Sequence, residues 1–194
     1  MMRLMVIVLG LTASAFAQSQ RYELRPNDGS KLELRVAKTG LYRGKVHVFT
    51  FPNYTGSLSY DAQKPETSQV SLTISSRDIK LMDTWLSEKD FKSVQAYALK
   101  DMLAADKYPD IAFVSTSVRR SDALHLDILE VRGTLTIRGI AKPVSLNVTL
   151  DGVRNLRGDA IIRLTDYGLK PPKAALGLIG TENEMRFSFS VSAD

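Results

Sequence analysis

The 194-residue chain contains no cysteine. That excludes disulfides, cysteine-ligated zinc, iron–sulfur clusters and thiol nucleophiles. It also excludes a lipid-modified cysteine behind a leader, so no acyl anchor is expected there. Histidine is almost as scarce, with only His47 and His125. Neither has a carboxylate or a second histidine at a metal-ligand spacing, and each reads as an ordinary strand-face residue. The chain has no G-x-S-x-G elbow, phosphate-cradling glycine loop or dinucleotide fingerprint. The formal charge of +5 is small, and Lys and Arg are scattered rather than clustered. That is not the footprint of nucleic-acid binding. No catalytic residue, metal ligand or cofactor is nominated, and no enzyme is expected.

The one long apolar run lies at the start. Met1-Met2-Arg3 precedes LMVIVLGL (Leu4–Leu11), and Ala15-Phe16-Ala17 is a small-x-small site. Together they read as a signal peptide cut after Ala17, with residues 18–194 as one exported domain. A membrane helix fits less well, because a span wants about 20 apolar residues. No later segment is long enough to span.

What is abundant is alternation. GTLTIRGIAKPVSLNVTL (133–150) sets Leu135 and Ile137 against Thr134, Thr136 and Arg138. It then sets Val144, Leu146, Val148 and Leu150 against Ser145, Asn147 and Thr149. Period two gives one apolar and one polar face, and the Gly/Pro-containing turn between the runs predicts an antiparallel hairpin. The same period predicts strands over 22–24, 31–37, 45–51, 56–60, 69–75, 111–118, 123–131, 157–164 and 185–191. The runs 45–51 and 56–60 are read as one long bent strand or two, divided at Pro52-Asn53-Tyr54.

The period changes once. From Ser87, Phe91, Val94, Ala98, Met102 and Ala105 fall at helical spacing. Ser87 with Asp90 resembles a capping box, and Pro109 stops the pattern. One helix of roughly 17–20 residues is expected, packed on the sheet.

About eight or nine strands with one helical insertion favour an antiparallel barrel or sandwich. The final strand alternates almost to the C-terminus. A long uncovered edge there would invite aggregation, and closing it onto an early strand removes it. An eight-stranded barrel is just wide enough to be filled by side chains or to hold one small ligand.

Four stretches, in order, resemble the YceI-like family of polyisoprenoid-binding proteins. Gly133 to Val144 is similar to G-x-L-T-I-[KR]-G-[VI]-x-[KR]-P-V, and Lys107 to Thr116 is similar to K-Y-P-x-I-x-F-x-S-T. The others are Gly56-Ser57-Leu58-Ser59-Tyr60-Asp61 with the strand from Ser68 to Ile74, and Asp166-Tyr167-Gly168. Two departures stand out. The helical segment is longer than the family's, and Asn53-Tyr54-Thr55 stands where many members carry H-x-G.

The resemblance implies an all-β fold: an antiparallel, lipocalin-like barrel of about eight strands with one inserted α-helix. It also implies a periplasmic protein holding a lipid-like amphiphile in an apolar tunnel. An isoprenoid quinone, a polyprenyl compound or a fatty acid would be the ligand. The candidate wall, taken from the apolar faces, is Leu72, Ile74, Ile111, Phe113, Leu135, Ile137, Leu146, Val148, Phe187 and Phe189. Trp85 is a candidate cover and Ser115 a candidate head-group contact. Lys170 and Lys173, beyond Asp166-Tyr167-Gly168, are candidates for a mouth facing an anionic head. A second reading is a filled-core barrel acting as an envelope interaction or stress-response module. A homodimer is left open under either.

Overall fold

The computed structural model describes residues 19–61, 63–121, 127–152 and 154–194. The expected signal peptide, the 123–126 part of one expected strand, and His125 lie outside the described residues.

The alternating runs form an antiparallel ladder. β1 (Gln20–Leu24), β2 (Lys31–Gly40), β3 (Val46–Thr50), β4 (Tyr54–Tyr60), β5 (Gln69–Ser75) and the two-residue β6 (Lys80–Leu81) precede the helix. β7 (Asp110–Arg120), β8 (Ile128–Ile137), β9 (Ile140–Asp151), β10 (Asn155–Arg163), the short β11 (Lys173–Ala174) and β12 (Ile179–Ser192) follow it.

Two pairs of these strands act as single staves. β3 and β4 are one bent strand, broken at Phe51-Pro52-Asn53, where proline has no N–H to donate. β1 and β2 lie end to end in one gap. β2 pairs with β3 and β12, and β1 pairs with β4 and meets β12 through the Leu24–Ala193 bridge. Counting each pair once gives eight staves: β1/β2, β3/β4, β5, β7, β8, β9, β10 and β12, returning to β1/β2. The ring closes, and the long β12 has no bare edge.

Two boundaries differ from the sequence reading. The expected strands 123–131 and 133–138 share one continuous strand from Ile128, because Gly133 stays in the ladder opposite Ser115 and Val144. The helix is shorter than expected. Ser87 caps α1 (Glu88–Tyr97), its hydroxyl accepting from the Asp90 N–H, but a π-helical turn follows at Ala98–Met102. Ala104 then takes φ 47° and ends the helical path. Ala98, Met102 and Leu103 of this segment line the barrel's interior.

Two inward positions are glycine. A Cβ on Gly133 would come within 2.5 Å of the Phe113 ring, and one on Gly158 within 2.5 Å of the Phe189 ring. Both glycines leave room for an aromatic ring to lie along the wall.

Candidate ligand cavity

The inward faces do not meet. They enclose a cavity of about 570 Å3, lined almost wholly by aliphatic and aromatic side chains. That is within the usual size of small-molecule sites. Ordinary protein interiors leave few gaps larger than a water molecule.

All ten residues of the expected wall line this cavity: Leu72, Ile74, Ile111, Phe113, Leu135, Ile137, Leu146, Val148, Phe187 and Phe189. Strand alternation places them. Phe113 faces Leu135 across β7–β8, and Phe187 lies between Leu34 and Ala160.

Ser115 and Trp85 do not line the cavity. Beyond Ser115 a bulge adds one residue to β7 before Ser117 and reverses the side-chain phase, so Val118 turns inward where Ser117 would have. Ser115 Oγ accepts the Val70 N–H at 2.9 Å, the bond to neighbouring backbone that competes with a ligand role. Trp85 is held outside the wall. Its Nε1 donates to the Val46 carbonyl at 3.2 Å, and its ring stacks on His47 at 5.3 Å. Lys173 lines the cavity mouth; Lys170 does not.

One end of the cavity is polar. Lys38, the Cα partner of Thr181, lies one inward position beyond Val36, which pairs with both Met185 and His47. Lys38, His47, Thr181 and Tyr167 all line the cavity at this end. Tyr167 ends the short 3-10 turn Leu164–Tyr167 that continues β10 past its Arg163–Glu184 rung.

The hydrogen bonds of this collar are unevenly distributed. His47 Nδ1–H donates to Asp83 Oδ2 at 2.5 Å, and Asp83 Oδ1 accepts the Val48 N–H at 2.9 Å. The Asp83 side chain is fully buried. The hydroxyls of Tyr167 and Thr181 are buried without any partner. Native structures rarely leave such groups unpaired. Burial pushes the Lys38 ammonium below its ordinary range, with the Asp83 carboxylate opposing that shift. Burial, and secondarily the charge of Asp166, pushes the Tyr167 phenol up to about 12. The collar therefore offers two hydroxyls and an ammonium at one end of a predominantly apolar space.

Sequence reasoning missed this collar, apart from Tyr167 as part of a motif. His47 and Asp83 are 36 residues apart, so no local spacing marks them. Lys38 extends the β2 alternation by one step, which was the available signal. Among the described residues no group of three His, Cys, Asp or Glu could hold a metal. No helix among them is long and apolar enough to cross a membrane.

A closed antiparallel barrel around a ligand-sized apolar cavity defines a lipocalin-like architecture. The chain belongs to the YceI-like family, whose domain model matches residues 22–193. A UPF0312 protein of Pseudomonas putida is 33% identical over 134 residues, 64% of this chain and 65% of that protein. The match thus spans just under two thirds of the length of that curated relative. Among solved structures, Burkholderia cenocepacia BcnA superposes with a TM-score of 0.66 at 20% identity, over 85% of this chain and 96% of that one. A polyisoprenoid binding domain from Saccharophagus degradans, implicated in plant cell wall breakdown, superposes at 0.57 with 14% identity, over 89% and 97%. These two likenesses show a shared fold.

Proposed function

We propose that the chain is an exported carrier that holds an isoprenoid-like or fatty amphiphile, with its tail in the barrel. The observation that carries this reading is the cavity, a space of about 570 Å3 that the protein's own side chains leave between them. Each CH2 moved from water into it contributes about 0.8 kcal/mol. A long tail gains affinity without any one decisive polar contact. The same space weighs against a filled-core interaction module.

The polar end of the amphiphile sits at the collar. Lys38, Thr181 and Tyr167 supply donors there, and an oxygen-rich head satisfies the two orphaned hydroxyls. In this reading the ligand is held rather than transformed. Export is read from LMVIVLGL and Ala15-Phe16-Ala17 as a signal, and the family resemblance favours the periplasm.

Native mass spectrometry on residues 18–194, purified from exported expression, tests the reading. The expected result is a discrete excess mass that solvent extraction releases as an apolar amphiphile. A clean apo mass, with added isoprenoid quinones and fatty acids also failing to bind, overturns it.

A further inference from the structure

Leu41, Leu176 and Leu178 are 73%, 107% and 60% exposed. Single exposed apolar residues are ordinary. These three are gathered. The Leu41 N–H donates to the Leu178 carbonyl at 3.0 Å, and Leu176 lies two residues earlier in the same turn.

The turn is strained to present them. Ala175, Leu176 and Gly177 take successive positive φ of 47°, 55° and 90°. L-residues with a side chain seldom adopt that region. Leu176 gains no packing in return, being as exposed as a free side chain. Strain without a compensating contact points to a functional constraint.

The two segments that carry these leucines have one sign of charge. Segments 41–45 and 170–178 carry Arg43, Lys45, Lys170 and Lys173 and no acidic residue. The tip also adjoins the cavity. Lys173, Ala174 and Ile179 line it, and Gly40 next to Leu41 is the Cα partner of Ile179. The leucines therefore crown the end that carries the polar collar.

We propose that this tip docks the barrel end-on onto an anionic lipid bilayer, with Leu41, Leu176 and Leu178 entering the acyl boundary and the surrounding cations meeting the head groups. Exposed apolar side chains set among lysine and arginine are the recognition pattern for such a surface. The purpose rests on the carrier reading: the mouth then faces the layer from which an amphiphile must come. Self-association through the same tip is disfavoured, because it would set these cations against their own copies.

Co-sedimentation of the mature protein with vesicles tests this. One set is phosphatidylcholine alone, and the other is an equimolar mixture with phosphatidylglycerol, each at about 0.1 M and about 0.5 M salt. Binding is expected on the anionic vesicles only, weakening at the higher salt. Changing Leu41, Leu176 and Leu178 together to Ser should lower the partition coefficient by about tenfold or more. Arg43→Glu with Lys170→Glu should do the same. Both variants should keep wild-type binding of a fluorescent fatty acid in solution, which separates this inference from the carrier reading. Absence of wild-type binding to anionic vesicles overturns the inference, and so does binding unchanged in the leucine variant. A concentration-dependent dimer in sedimentation velocity that the same leucine changes abolish would assign the tip to self-association instead.

Discussion

Lys38 on β2 and Thr181 on β12 are Cα partners, and at that rung the wall of the barrel changes from hydrocarbon to polar. No hydrogen bond within the protein satisfies the buried Thr181 hydroxyl. If the collar receives an anionic head, Lys38→Met should weaken binding of oleate by about tenfold, the scale of one charge-assisted hydrogen bond. Binding of methyl oleate should be unchanged. Displacement of a fluorescent fatty acid measures both. Equal loss for acid and ester would assign Lys38 to packing alone.

Tyr167 gives a spectroscopic handle on the same end. Its phenol is raised from 10.0 to about 12, first by burial and then by the nearby Asp166 charge. The folded state therefore holds the proton more tightly than the unfolded chain. The stabilisation this gives is fully present below the unfolded value near 10. It is lost as pH rises through about 12. Absorbance titration of the folded protein should show one tyrosine ionising last, and Tyr167→Phe should remove that step. A phenol titrating near 10 would place this side chain in water.

Asp83 is expected to be structural. Its carboxylate holds both the His47 ring and the Val48 N–H while its side chain is fully buried. Asp83→Ala leaves both donors unpaired beneath Trp85. The cost should be about 3 kcal/mol, read as a lowered urea midpoint. Asp83→Asn, which keeps an oxygen for Val48, should lose less.

Ser115 separates a wall residue from a ladder residue. Removing its hydroxyl by Ser115→Ala frees the Val70 N–H and should cost about 1 kcal/mol of stability. Ligand retention should be unaffected. Phe113→Asp, two residues earlier, puts a carboxylate into the cavity wall and should abolish retention in the folded variant. Urea denaturation followed by native mass spectrometry of both variants checks the contrast.

Period-two alternation determined the strands, their inward faces and the ten wall residues, because each step along a strand reverses the side chain whatever lies beyond it. The long alternating β12 likewise required an edge partner. Four motifs placed the chain in its family. Alternation failed where one residue was inserted. The bulge at Ser115–Ser117 reverses the phase, and only the pairing with β8 reveals it. The helix was overextended because its apolar stripe continues past Ala98, where the backbone widens into a π turn instead. Whether the apolar faces would touch or stand apart depends on stave number and curvature, which no local pattern encodes. The collar and the leucine tip join residues from distant segments. Asp83 reaches His47 across 36 positions, and Leu41 meets Leu178 only because β2 and β12 close the ring.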